Sequence, residues 1–235
     1  MKRVPEPELM NDSQQVEAYA TADFEQPHSH FIQLLRDRIG TLPATGRALD
    51  LGCGPGDIAY RLADEQPGWV IDAVDGAPAM IKRAQQDPRA LQSGDRIRFI
   101  QTQLPNTETL ESKFHLIVCN SLLHHLKDPQ NLWPLLPGLA QPDSQLFMMD
   151  LKRPADEKTV FDLVNRYARD EPEILQRDFE ASLRAAYTLQ EIAAQLSSAG
   201  LDQLQIEDIS DRHWIVYGAI HGESFTREGS RKSSS

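Results

Sequence analysis

The chain has 235 residues, 40% hydrophobic and 25% charged, which suits one domain with a real core or one domain carrying a cap. Its formal net charge of −11 has the wrong sign for a phosphate-backbone binder, and no apolar run approaches the roughly 18–20 residues of a membrane span, so neither nucleic acid nor membrane is an expected partner. The only cysteines, Cys53 and Cys119, are too few for a disulfide framework or a thiolate zinc site, and a reducing, cytoplasmic setting is expected.

The opening "MKRVPEPELMNDSQQ" has no apolar stretch of the kind a secretory leader carries. Residues 11–40 read as helical with a break at Pro27, and Phe31, Leu34, Leu35 and Ile39 recur at helical spacing. The upstream piece, with Tyr19 and Phe24, is expected to fold over a site, making residues 1–44 an N-terminal helical lid and Tyr19 a candidate substrate contact.

From residue 45 the pattern alternates. Runs at 47–51, 69–75, 97–101, 115–121 and 144–151 are short, rich in Val, Ile, Leu and Phe, and bounded by Gly, Pro or Asp, so they read as strands. Helices are expected at 57–66, 78–86 and 130–140, the second opening on Pro78, which suits a first helical position. Strand–helix alternation means crossovers and a parallel sheet covered on both faces, giving an α/β core over 45–151.

Residues 152–200 read as helices at about 156–170, 173–186 and 188–199, the last opening on a Thr188/Glu191 capping box and ending at Gly200. One crossover needs far fewer residues, so this segment is expected to cap the carboxyl edge of the sheet, where open α/β folds bind ligands. Runs at 204–209 and 213–220 have hairpin spacing, so 201–222 closes the sheet with an antiparallel pair. Residues 223–235 are polar and low in complexity and are expected to be a disordered tail.

The strongest motif is "ALDLGCGPGDIAYRLA" (48–63), a strand, three alternating glycines (Gly52, Gly54, Gly56) and a helix. Such a turn lets a ligand approach bare backbone. A dinucleotide fingerprint would place its third glycine at position 57, but Asp57 stands there, a carboxylate suited to capping the helix and unsuited to a pyrophosphate. Asp75, at the end of the second strand, can accept hydrogen bonds from both hydroxyls of a ribose. Loop and acid together indicate a nucleoside cofactor without a diphosphate.

Over about residues 45–220 these features resemble the class I S-adenosylmethionine-dependent methyltransferases. "LDLGCGPG" resembles the first motif of that family, "DAVDGAPAMIKRA" (72–84) the second, "IRFIQTQLPN" (97–106) the third and "FHLIVCNSLLHHL" (114–126) the fourth. The resemblance implies a Rossmann-like, mostly parallel seven-stranded sheet with an antiparallel last strand. It implies a cofactor site of Asp50, Gly52, Cys53, Gly54, Asp75, Gly76, Met80, Gln103, Leu104, Asn120 and Ser121, with S-adenosyl-L-methionine as cofactor and S-adenosyl-L-homocysteine as product. Gln103 stands about where many relatives place Asp, and His115 where many have Asp in the fourth motif.

Methyl transfer from a sulfonium is an in-line displacement, which needs a held nucleophile and, for a protonated one, a base. His124, His125 and Asp150 are the catalytic candidates, and Arg153, Arg166 and Tyr167 join Tyr19 as candidate substrate contacts. Adjacent histidines are expected to point in different directions, one facing the pocket and one packing, so no metal is expected. The acidic charge and the long cap favour a small-molecule acceptor, whose identity the residues leave open. The alternatives are a methyltransferase acting on tRNA or protein, and a non-catalytic nucleoside-binding protein of the same fold.

Overall fold

The computed structural model describes residues 1–7, 9–10, 12–110 and 113–220. The tail expected at 223–235 lies outside the described residues, as do 221–222 of the closing segment. In chain order the elements are α1 (Ser13–Thr21), α2 (Glu25–Ile39), β1 (Gly46–Leu51), α3 (Asp57–Glu65), β2 (Trp69–Asp75), α4 (Pro78–Gln85), the short α5 (Arg89–Ser93) and β3 (Ile97–Gln101). They continue with β4 (Phe114–Asn120), the single turn α6 (Leu136–Leu139), β5 (Ala140–Leu151), α7 (Glu157–Tyr167), α8 (Glu173–Ala185), α9 (Leu189–Ser198), β6 (Gln205–Asp208) and β7 (His213–Ile220).

The seven strands form one sheet in the order β3-β2-β1-β4-β5-β7-β6. β1 to β5 run parallel, and β7 lies antiparallel between β5 and β6. The expected mostly parallel sheet with an antiparallel last strand is therefore present. Side chains alternate across each strand. In β4, Leu116 and Val118 pack with Phe31 and Tyr60 of α2 and α3, while Ile117 and Cys119 face Trp133, Ile192 and Trp214. Both faces are dry, as a parallel sheet requires. Among the described residues, no helix is long and apolar enough to cross a membrane.

Local chemistry accounts for most boundaries. Asp12 accepts from the Gln14 and Gln15 N–H groups to start α1, and the capping box of Thr188 and Glu191 opens α9. The break expected at Pro27 falls instead at residues 22–24, because Pro27 sits in the first turn of α2, where a missing N–H costs no helical bond. The helix expected over 130–140 is a second correction. Pro129, Pro134 and Pro137 cut it into 3-10 turns at Pro129–Asn131 and Trp133–Leu135 and the single turn α6. Leu132, Trp133 and Leu136 are nevertheless fully buried, so the segment still plugs one face of the sheet. β5 begins at Ala140 rather than at 144, pairing first with Phe114 and again from Leu116 across a register shift.

This topology brings the ends of β1, β2, β4 and β5 to one carboxyl edge. Leu51, Asp75, Asn120 and Asp150 stand there, with the glycine loop following β1.

Candidate active site

β1 passes to α3 through three left-handed glycines, Gly52 at φ +70°, Gly54 at +52° and Gly56 at +90°. A Cβ on Gly52 would lie 2.8 Å from Leu122, and one on Gly56 2.8 Å from Phe99, so packing forbids side chains at both. A Cβ on Gly54 would meet nothing within 4 Å, because that glycine borders open space. Asp75 holds the loop in place: Oδ2 accepts from the Gly54 N–H at 2.9 Å, and Oδ1 from the Ala77 N–H at 2.7 Å. Burial pushes the Asp75 carboxyl up, and the two N–H donors oppose it. Each oxygen keeps lone pairs for further donors.

Asp50 lies beneath the loop, buried, with Oδ2 lacking any hydrogen-bond partner. Burial, reinforced by Asp75 and Asp57 and opposed by the Ala59 N–H, pushes its pKa up to about 7. Asn120 Oδ1 is a second buried acceptor without a partner. Orphaned buried acceptors mark a place where a ligand's donors fit. Next to it, Ser121 is held at φ +56°, a left-handed strain that favours glycine, and its N–H bonds Met149 O at 2.9 Å.

Other residues expected around the cofactor gather at the same edge. Met80 packs with Val16 and Ala77 against Tyr19. The Tyr19 hydroxyl is pushed up to about 12, by burial first and then by Asp75, Asp150 and Asp57. Cys53 is buried and its thiol pushed up, so it is a packing group. A Cβ on Gly76 would stand 2.7 Å from Leu9 and 3.5 Å from Gln103, and Gln103 and Leu104 line an open cleft of 460 Å³ with Asn106 and Glu108. Asp57 does not cap α3 with its side chain. It accepts instead from His28 at 2.7 Å, Arg61 at 2.6 Å and Arg89 at 2.5 Å, bonds that outweigh burial and hold its carboxyl well below the usual range.

At the end of β5, Asp150 accepts from the N–H groups of Leu123 (2.7 Å), His124 (3.3 Å) and Leu151 (2.6 Å) and pairs with His124 Nδ1 at 2.5 Å. Burial would raise Asp150, but His124 and these donors hold it below its ordinary value. His124 lies in a 3-10 turn, Leu123–His125, directly after β4. The two histidine rings do not diverge as expected, for their centroids are 4.2 Å apart. Both approach Glu6, whose Oε1 is 3.5 Å from His124 Nε2 and 3.2 Å from His125 Nδ1. Ser182 of α8 donates its hydroxyl to Glu6 at 3.1 Å.

Glu6 was not among the expected site residues, and neither was Arg3. Arg3 donates to His124 O (2.9 Å) and Leu126 O (3.0 Å), and its guanidinium lies 4.1 Å over the Tyr187 ring. The signal in the sequence is "PEP": prolines on both sides of Glu6 hold the chain extended, and an acid in such a strap is free to reach into a site. Three expected substrate residues face other partners. Arg153 is pinned to Ala186 O and Glu191, at 3.0 and 2.7 Å, and so ties the cap to the sheet. Arg166 and Tyr167 both reach Asp211 at 2.9 Å on the outside of the cap. His115 accepts from the Arg47 N–H at 3.1 Å, a strand-edge role away from the glycine loop.

A family model described as "Methyltransferase domain" matches residues 49–146, the span from the glycine loop through the histidine pair. The fold matches a SAM-dependent methyltransferase structure from Aquifex aeolicus with a TM-score of 0.63 at 16% identity, over 90% of this chain and 100% of that one. Residues 49–146 are thus similar to a methyltransferase domain, and the chain has the fold of that methyltransferase structure. It is 26% identical over 162 residues to a ubiquinone biosynthesis O-methyltransferase of Haemophilus ducreyi, covering 65% of this chain and 67% of the relative. It is 34% identical over 107 residues to a trans-aconitate 2-methyltransferase of Streptomyces coelicolor, covering 43% and 35%. The chain thus spans about two thirds or less of these curated relatives.

The cofactor of the matched domain, S-adenosylmethionine, fits the residues at this edge. The open face of Gly54 admits its backbone approach, the free lone pairs of Asp75 suit two hydroxyls, and the orphaned oxygens of Asp50 and Asn120 suit cationic or N–H donors. One consequence is measurable. Asp50 is protonated below about pH 7 in the free protein, whereas a cationic ligand favours its ionised form. Cofactor affinity should therefore fall up to about tenfold per pH unit below 7 and level off above it. Calorimetry on wild type against Asp50→Asn checks this, since the variant should lose that part of the slope; equal slopes would place the titrating group elsewhere.

Proposed function

We propose that this methyltransferase moves the methyl group of S-adenosylmethionine onto a nucleophilic atom of a small metabolite. The acceptor lies between the glycine-loop edge and the cluster of Glu6, His124 and His125. That cluster is the observation that carries the reading: three polar side chains of a strap and a turn meet beside the carboxyl edge. When bound, the cofactor supplies a sulfonium-activated methyl carbon. The chain's own residues do the rest. Asp75 and Gly54 set the depth of the nucleoside, while Asp150 fixes His124 through its Nδ1 and so aims Nε2 at the acceptor end. Residues 1–44 act as strap and lid and 152–200 as cap, joined where the Val4 N–H donates to Arg184 O at 3.0 Å. Such closure excludes water from a displacement on carbon.

A small acceptor is favoured over a nucleic acid by the net charge of −11. The curated relatives support it too, one named for ubiquinone biosynthesis and the other for trans-aconitate. The test is a screen of phenols, catechols and carboxylic acids with methyl-labelled cofactor, following label transfer and S-adenosylhomocysteine release. Transfer to one small acceptor, lost in Gly54→Asp, is the expected result. Label arriving only on bulk tRNA or protein would replace the small-molecule reading, and no binding of cofactor or product would remove the methyltransferase reading altogether.

A further inference from the structure

We propose that Glu6, His124 and His125 form a site for one divalent transition-metal cation. Glu6 Oε1 stands 3.5 Å from His124 Nε2 and 3.2 Å from His125 Nδ1, and the ligand atoms of all three residues lie within 4.8 Å of one another. For metal–nitrogen and metal–oxygen bonds of about 2.0–2.2 Å, the edge of a tetrahedron is about 3.3–3.5 Å. The two carboxylate–imidazole separations therefore match ligands around a common ion better than a hydrogen bond of about 2.9 Å.

A second observation is independent of that spacing. His125 Nδ1 is buried and has no hydrogen-bond partner, although a carboxylate oxygen is 3.2 Å away. Buried polar atoms are rarely left alone, and an ion shared with Glu6 gives this nitrogen the partner it lacks.

The third observation lies behind the ligands. Asp150 is bonded to His124 Nδ1 at 2.5 Å and is itself anchored by the N–H groups of Leu123, His124 and Leu151. A carboxylate that accepts a hydrogen bond from the Nδ1–H of a histidine leaves Nε2 with its lone pair, the arrangement that orients metal-ligating histidines. Two imidazoles and one carboxylate select zinc, cobalt, iron or manganese over calcium and magnesium, which prefer oxygen. Arg3, the nearby cation, is turned toward the carbonyls of His124 and Leu126 rather than into the cluster. The set leaves at least one coordination position open. On the methyl-transfer reading the ion would hold an acceptor oxygen at that position and lower its pKa, the proton passing to solvent water. Cation binding itself does not depend on that reading.

The experiment is a titration of the full chain, freed of metal by chelator, with Co²⁺ alone, followed by its visible ligand-field bands. One equivalent should bind, with the intense bands of a low-coordinate site, and Zn²⁺ should displace it. Glu6→Gln and His125→Asn should each abolish the signal while circular dichroism stays native, and His30→Gln, at an exposed histidine, should not. Asp150→Asn, a positioning change, should weaken binding by about 10–100-fold without removing it. Zn²⁺ should also raise the thermal midpoint of the wild type, a readout that needs no variant. Absence of stoichiometric binding, or equal binding by wild type and Glu6→Gln, overturns the proposal. Calorimetry with S-adenosylhomocysteine in chelator separates this failure from failure of the cofactor site.

Discussion

Replacing Asp150 by alanine should lower unfolding stability by about 3–5 kcal/mol, the range seen when one partner of a buried ion pair is removed. The carboxylate is buried beneath the site and accepts from three backbone N–H groups as well as from His124. Alanine leaves those donors without acceptors and the His124 ring without its partner. Asparagine keeps one carbonyl oxygen for the backbone of the Leu123–His125 turn, so its loss should be the smaller. Urea unfolding of the two variants beside wild type checks both the size and the order. Equal midpoints for wild type and Asp150→Ala would show that the turn after β4 stands without this anchor.

Asp75→Ala should act on ligand binding instead, weakening S-adenosylhomocysteine by about 100-fold. That factor corresponds to about 2.7 kcal/mol, within reach of two lost hydrogen bonds to a charged acceptor. Part of the effect comes from the loop, because Gly54 and Ala77 lose the oxygens their N–H groups now bond. Asp75→Asn retains one acceptor and should bind better than alanine. Titration calorimetry with the product, which cannot react, measures both variants. Unchanged affinity in Asp75→Ala would move the ribose contact away from β2.

The parts that sequence reading found are those that local chemistry determines. The glycine loop and Asp75 lie within one strand–turn–helix–strand unit, and the capping box of α9 spans Thr188 to Glu191. The parts it missed depend on partners far along the chain. Arg3 meets His124 across 121 positions, and no periodicity encodes such a contact. Arg166 looked pocket-facing because its partner, Asp211, is 45 positions away. The segment 130–140 is a different kind of miss. Leu132, Trp133, Leu136 and Leu139 repeat at helical spacing and are buried as a helix would bury them, yet the prolines at 129, 134 and 137 were in plain view. There apolar periodicity reported burial correctly and backbone conformation incorrectly.

The two ends of the site have separate addresses in the gene. The groups suited to the cofactor fall between Asp50 and Ser121, on the strands and in the turns that follow them. Glu6 arrives from a proline-bracketed strap fastened by Arg3 and Val4 to residues outside that span or on its margin. A substitution at Glu6 therefore leaves the Gly54–Asp75 hydrogen bond and the strand pairing of the sheet in place. On the proposed reading, the acceptor end can change at Glu6 while the strand ends that suit the cofactor keep their residues.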